Sequence, residues 1–104
     1  MTVSQSIAFQ RIAGAALLYV DEIVRRWLPE GRREGTEWVC RNPRRADHRA
    51  GSFKVNLVTG RWADFATDDC GGDLVSLGAF LFELSQKDAA LNIADMLAIN
   101  PYEQ

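Results

Sequence analysis

The stretch that decides the fold is "GRWADFATDDCGGDLVSLGAF", residues 60–80. A strand with an aromatic residue follows Gly60, and the run Gly71-Gly72-Asp73 then leads into an apolar helix. Small metal-binding domains often carry cysteine ligands in such a strand and in the loop after it. This chain has carboxylates there instead, at Asp64, Asp68 and Asp69. The sequence therefore raises the question of whether a metal ion or apolar packing stabilises this segment.

Three segments around this stretch have the composition of β-strands. Residues 52–57 alternate apolar and polar side chains, and residues 36–41 and 61–66 are rich in β-branched and aromatic residues. The short turn before Arg61 predicts antiparallel pairing, which brings Trp62 beside Phe53. We therefore predict a small three-stranded antiparallel sheet.

Helical patterns flank the predicted strands on both sides. Apolar residues recur at three- and four-residue spacing from Ser6 to Leu28, with a possible division at Gly14 and an end at Pro29. Asp73 and Ser85 have the positions of N-caps for two C-terminal helices. The predicted fold class is α+β, with an N-terminal helical region, three strands and two helices in that order.

Composition predicts one ordinary globular domain over residues 1–104. Of the residues, 47% are hydrophobic and 25% are charged, which is typical of a folded chain. No apolar run reaches the roughly 18 residues that a membrane span needs, and the N-terminus has no signal-peptide pattern. We expect a cytoplasmic protein whose two cysteines, Cys40 and Cys70, are reduced thiols.

Charge is divided unevenly along the chain. Residues 25–61 contain ten basic and four acidic side chains, whereas residues 62–104 contain one basic and eight acidic side chains. A basic middle region is a candidate surface for phosphate groups. The alternative is a solvated loop whose arginines pair with acidic neighbours, namely Glu34, Glu37, Asp47 and Asp64. Charge alone leaves both interpretations open.

Two other patterns in this region are interpreted as structural. Gly71-Gly72-Asp73 could present backbone N–H groups to a phosphate, but neighbouring carboxylates favour a turn followed by an N-cap. The acids Asp64, Asp68 and Asp69 could bind Mg²⁺, but adjacent acids in a loop are usually solvated.

The runs "GSFKVNLVTGRWADF" and "GGDLVSLGAFLFELSQKDAALNIADML" resemble the zinc-binding domain of bacterial-type DNA primases. The resemblance covers roughly residues 36–98. It is closest to the variant in primase-helicase proteins of phages and mobile elements, where a segment reads as Asn42 to Phe53 does here. The matching positions are Ser52, Phe53, Asn56, Gly60, Trp62, Gly71, Gly72, Asp73 and the helix at 74–84.

The resemblance implies a zinc-ribbon fold, but the ligands of that family are missing. The chain has neither Cys-x-x-His nor Cys-x-x-Cys, and the family's ligand positions fall near Pro43 and Ala46, then near Asp64 or Phe65 and near Asp68. Cys40, His48 and Cys70 are too few and too widely spaced for a structural zinc site. We therefore expect no zinc. Apolar packing would replace the metal, contributed by Trp38, Phe53, Trp62, Phe65, Phe80 and Phe82.

The resemblance also implies a function. In that family this domain recognises template DNA, while a separate domain catalyses polymerisation, so we predict a metal-free, non-catalytic nucleic-acid-binding module. It would act in replication of a phage, mobile element or bacterial chromosome, with single-stranded or template DNA and a primase or helicase subunit as partners. Trp62 is the predicted base-stacking residue. The predicted phosphate contacts are Arg41, Arg44, Arg45, Arg49, Lys54 and Arg61.

A function of another class remains as the alternative. The chain could be an interaction or oligomerisation module that docks on a replication enzyme without touching DNA. Its N-terminal helical region is broad enough to leave one apolar face for a partner, formed by Leu17, Leu18, Tyr19, Ile23 and Trp27.

Overall fold

The computed structural model describes residues 5–44 and 52–103. Its helices are α1 (Phe9–Leu17), α2 (Val20–Trp27), α3 (Leu74–Phe82) and α4 (Gln86–Leu97). Its strands are β1 (Arg32–Glu34), β2 (Glu37–Cys40), β3 (Phe53–Asn56), β4 (Trp62–Asp64) and β5 (Cys70–Gly71). The fold class is α+β, and α1, α2, α3 and α4 occupy the regions predicted to be helical.

The sheet has five strands where the sequence predicted three. The strands follow one another in the order β1-β2-β3-β4-β5, and every neighbouring pair is antiparallel. The predicted strands are the three central ones. The outer strands lack the usual sequence pattern, because all three residues of β1 are exposed and β5 is only two residues long. The expectation of a three-stranded sheet was therefore wrong at both edges.

The register gives the sheet an apolar inner face. Trp38 pairs with Val55, which pairs with Trp62, so these three side chains form one row across β2, β3 and β4. Cys40, Phe53 and Asp64 form the next row on the same face. Five of these six side chains join the core cluster together with residues of all four helices.

The N-terminal helical region divides at Leu18 and Tyr19, not at Gly14. Gly14 lies inside α1 and has open space around it. The amides of Leu18 and Tyr19 donate to the carbonyls of Ala15 and Ala16, which closes α1. The break lets the chain bury Val20, Ile23 and Val24 of α2 while Leu18 remains 83% exposed. Core packing, and not glycine flexibility, sets the division.

Both predicted N-caps are confirmed. The carboxylate of Asp73 accepts from the Ser76 amide at 2.8 Å, and the Ser85 hydroxyl accepts from the Asp88 amide at 3.0 Å. Each contact satisfies an amide at a helix start that has no partner within the helix. The caps fix where the chain turns from the sheet edge into α3 and from α3 into α4.

Stacked aromatic rings join the sheet to α3. Phe53 lies 5.7 Å from Trp62 and 6.0 Å from Phe80, measured between ring centroids. Phe65 and Phe82 were also expected in the core, but they are 68% and 51% exposed. That expectation was wrong for both, because Phe65 points away from the helices in the β-strand alternation and Phe82 is at the end of α3.

The chain ends of the described region lie side by side. Ile7 and Tyr102 form a β-bridge, and the Arg11 guanidinium donates to the carbonyls of Asn100 and Tyr102 at 2.7 and 2.8 Å. These contacts tie the start of α1 to the segment after α4.

Over residues 5–44 and 52–103, no helix combines the length and hydropathy needed to cross a bilayer.

Candidate nucleic-acid interface

The outer face of the sheet, opposite the helices, carries a mixed row of side chains. Register aligns one residue from each of the five strands on this face, namely Arg32, Val39, Lys54, Ala63 and Cys70. These residues do not belong to the core cluster that the helices share with the inner face. The row therefore lies on the side of the sheet opposite the described helices, where Arg32 and Cys70 are exposed and Val39 is buried.

An open hollow of about 520 Å³ lies on this outer face. Lys54, Arg61 and Phe65 line it, and Glu37 is the acidic side chain in its lining. The ammonium of Lys54 is 5.7 Å from the Phe65 ring centroid, which is within reach of a cation–π contact. Because Phe65 is 68% exposed, the hollow combines an accessible aromatic ring with two cationic side chains. We call these three side chains the sheet-face cluster.

The turn between β3 and β4 sets the position of Arg61. The Asn56 side-chain oxygen accepts from the amides of Val58 and Thr59, at 2.8 and 3.0 Å. Gly60 closes the turn at a φ of 80°, a backbone conformation that L side chains rarely adopt. The turn thereby places Arg61 beside the same hollow as Lys54.

The predicted phosphate contacts are not all on this face. Arg41 is exposed but lines a different hollow, beside Pro29 and Glu30. Arg44 donates to Glu83 at 2.9 Å and to the Phe80 carbonyl at 3.1 Å, and its guanidinium lies over the Phe80 ring. Arg45 and Arg49 lie outside the described residues. The structure therefore brings together two of the predicted cations and commits Arg44 to the end of α3.

Trp62 is a core residue and does not offer a face to a base. It is 5% exposed, stacks against Phe53 and contacts Phe80 at a centroid distance of 4.8 Å. Its indole N–H donates to the Ser76 hydroxyl at 2.9 Å. The predicted stacking role of Trp62 is thus corrected, because burial uses both its ring and its polar atom.

Phe65 is the accessible aromatic residue that the sequence reasoning assigned to the core. The alternation of side-chain directions along β4 would have identified Phe65 as an outward-facing residue. Once Trp62 points inward, Asp64 points inward as well, and Ala63 and Phe65 must point outward. The amide of Phe65 donates to the Ser52 carbonyl at 2.9 Å, so the strand pairing continues to this residue.

The two cysteines cannot share a metal. Cys40 on β2 and Cys70 on β5 are separated by three strand spacings, roughly 14 Å. Burial raises the pKa of the Cys40 thiol to about 12, so this group stays protonated at neutral pH. Among the described residues, no three His, Cys, Asp or Glu side chains are grouped so as to hold a metal ion. His48 lies outside that region.

A buried hydrogen bond joins the two loops where the resemblance would place metal ligands. The Asn42 side-chain amide donates to the Asp64 carboxylate at 2.8 Å, and the two residues are 1% and 0% exposed. Asn42 also accepts from the Arg44 amide, and Asp64 accepts from the Ala66 amide, each at 2.9 Å. These contacts connect the end of β2 to the end of β4 without a thiolate.

The Gly71-Gly72-Asp73 run forms a turn and a cap. The Asp73 carboxylate occupies the start of α3 by accepting from Ser76, which places a negative charge where a phosphate would otherwise bind. Gly71 is needed for another reason. A Cβ at this position would collide with the Ser76 hydroxyl and the Trp62 indole nitrogen, the two groups that bond to each other there.

Comparison with known proteins adds no relative to this picture. No protein-family model, curated protein or solved structure matches the chain. The resemblance to primase zinc-binding domains therefore stays a prediction from residues 36–98, and the geometry of the described residues is the basis for a functional proposal.

Proposed function

We propose that the chain is a non-catalytic module that binds single-stranded nucleic acid on the outer face of its sheet. The observation that carries the proposal is the sheet-face cluster, in which an exposed Phe65 ring stands beside Lys54 and Arg61. Proteins that bind single strands combine aromatic platforms for bases with cations that follow the phosphates. The antiparallel sheet supplies a firm support for both.

The form of the cluster favours a single strand over a duplex. A ring on a sheet surface can stack only on a base whose face is free, and bases within a duplex are already stacked. Duplex readers usually insert a helix or a ribbon into a groove. Among the basic side chains of the helices, Arg25 already contacts the protein itself, because its guanidinium lies over the Trp38 ring.

We further propose that this binding serves replication of a phage, mobile element or bacterial chromosome, with template DNA as the ligand and a primase or helicase subunit nearby. This part rests on the resemblance of residues 36–98 to primase zinc-binding domains. Within that proposal, the hydrogen bond between Asn42 and Asp64 takes over the metal's task of joining the two loops.

The test is a titration of fluorescein-labelled single-stranded DNA with protein whose zinc content has been measured. We expect binding at low salt that weakens as salt rises, because each neutralised phosphate releases counterions. Phe65→Ala should raise Kd by roughly 5- to 150-fold, the range expected for losing one base–aromatic stack of about 1–3 kcal/mol. Arg61→Glu should weaken binding and flatten the salt dependence.

Lys87→Glu is the matched control, because it makes the same change in charge at an exposed position on α4. It should alter Kd far less than Arg61→Glu. Absence of binding by the wild-type protein at low salt would rule out the function. Binding that responds equally to both charge reversals would leave the function standing but remove the sheet face as its location.

A second candidate function is protein docking without nucleic-acid contact. The observation in its favour is the set of exposed apolar side chains on the helical layer, in particular Leu18, Tyr19 and Phe82. This function predicts partner binding that is insensitive to salt and unaffected by Arg61→Glu, or a stable dimer in sedimentation.

A further inference from the structure

A trough runs along the helical layer, away from the outer face of the sheet. Its larger part, about 440 Å³, lies among α2, α3 and α4, with Trp27, Phe82 and Met96 in its lining. A second hollow of about 160 Å³ continues it toward Tyr19 and Leu97. Arg26 and Met96 line both parts, so the two hollows form one surface between α2 and α4.

Close helix packing shapes the floor of the trough. A Cβ at Gly78 would lie 3.0 Å from the Trp27 ring, so the glycine lets this indole lie against α3. Phe82 then meets Trp27 edge to face, with 5.5 Å between ring centroids. The packing leaves the Phe82 ring 51% exposed and the Tyr19 side chain 47% exposed at opposite ends of the trough.

The dimensions fit a short helix. One wall is formed by α2, whose eight residues extend about 12 Å, which corresponds to two turns of an α-helix. Apolar anchors at both ends with a flexible Met96 between them match the way that an amphipathic helix sits in a groove, through side chains at i, i+4 and i+7. An extended strand would find no free sheet edge here.

The rim of the trough is acidic on both walls. Glu22 of α2 and Asp95 of α4 are exposed lining residues, and among the described residues neither forms an ion pair. Arg26 is the basic side chain in the lining. A second copy of this chain would place a rim with the same excess of carboxylates over cations against this one, which is unfavourable. A cationic partner would meet complementary charge.

We propose that this trough docks a short amphipathic helix of a partner protein whose apolar stripe is flanked by lysine or arginine. The inference does not depend on nucleic-acid binding, because it uses none of the sheet-face cluster. The two surfaces lie on different layers of the fold, so one molecule can hold a partner helix and a nucleic acid together.

The experiment uses a display library of amphipathic helices, each about 12 residues or three turns long. Leucines are fixed along one stripe, and each flanking position is either Lys or Glu. Selection on the wild-type chain should enrich Lys-flanked helices over Glu-flanked helices by at least about tenfold, equivalent to about 1.4 kcal/mol. Selection on the double variant Glu22→Lys with Asp95→Lys should reverse this preference.

The matched control is Glu30→Lys with Glu103→Lys, which makes the same change in charge at exposed positions outside the trough lining. It should keep the wild-type preference. Phe82→Ala should reduce enrichment of every helix, and circular dichroism verifies that each variant folds.

Three outcomes would overturn the proposal. The first is no enrichment on the wild-type chain, and the second is an equal loss of Lys preference in the control and in the trough variant. The third is a wild-type dimer in sedimentation velocity that Phe82→Ala converts to monomer, because a second copy would then be the occupant.

Discussion

Asp64 shows how a single carboxylate is accommodated in the core of this domain. The residue is 0% exposed, and Asn42 and the Ala66 amide donate to its two oxygens. A buried carboxyl group is tolerated only with hydrogen-bond partners, because dehydration is otherwise costly. The pair therefore holds the ends of β2 and β4 at one distance, as a metal bridge would.

Removing the donor of this pair should destabilise the fold. Asn42→Ala leaves Asp64 without one partner in a dehydrated site, and we expect the free energy of unfolding to fall by about 1–3 kcal/mol. Urea denaturation followed by tryptophan fluorescence measures the change.

Asn92→Ala is the control for this variant, since Asn92 is exposed on α4 and should change stability by less than about 0.5 kcal/mol. Equal stability of the two variants would mean that the Asn42–Asp64 bond contributes no stability.

At the scale of elements, β5 approaches the start of α3 too closely for a side chain at Gly71. Gly71 of β5 pairs with Trp62, whose indole donates to Ser76 in the first turn of α3. This hydrogen bond connects β4 to α3, and both of its atoms lie beside Gly71, which has no side chain. Neither the strand pattern nor the cap signal contains this requirement, because it arises where two elements meet.

Gly71→Ala should destabilise the fold at this junction. The added methyl group displaces either the Ser76 hydroxyl or the indole, and we expect a loss of about 1–3 kcal/mol, typical of overpacking. Gly72→Ala is the matched control, because its Cβ would meet open space and its φ is not in the left-handed region. Thermal unfolding followed by circular dichroism compares the two variants. Equal losses of stability would contradict this account.

The elements that could be predicted are those with strong local patterns. β3 alternates apolar and polar residues, β2 and β4 contain β-branched or aromatic residues, and Asp73 and Ser85 are N-cap residues, so these features were identified from the sequence. β1 and β5 were missed because edge strands form by pairing with a neighbour, and their own composition carries little signal.

At the scale of the whole molecule, the layers separate an apolar core from two distinct surfaces. The helices cover the inner face of the sheet, the sheet-face cluster lies on the outer face, and the trough lies on the helical layer. The core contains large side chains from β2, β3, β4 and every helix. Burial of each such side chain contributes roughly 1.5–3 kcal/mol to stability.

Chelation should therefore leave stability unchanged. We expect the same melting temperature with and without EDTA, because a structural zinc ion would contribute about 10–16 kcal/mol and its removal would unfold the domain. Differential scanning calorimetry on protein with measured zinc content provides the comparison. A melting temperature that falls with EDTA and recovers with added zinc would contradict a metal-free fold.

The candidate site was only partly accessible to sequence reasoning. Lys54 and Arg61 were identified by charge, and the structure places them on one face. Trp62 was predicted both to pack in the core and to stack on a base, and Phe65 to pack in the core, whereas Trp62 is buried and Phe65 is exposed. Both are aromatic residues of the same strand segment, and only the direction of the alternation distinguishes them. Arg44 had the same predicted role as the neighbouring arginines, and only the structure shows that it contacts Glu83, 39 residues away.

Local chemistry along the chain was enough to establish the α+β class, the three central strands, the helix caps and the basic middle region. These features depend on residues a few positions apart, whose spacing and capping act within one element. Which aromatic residue is buried, which arginine is already paired and how many strands the sheet contains depend on contacts between distant segments. Those contacts exist only when the whole chain has packed, since burial is a property of the assembled layers and not of any single residue.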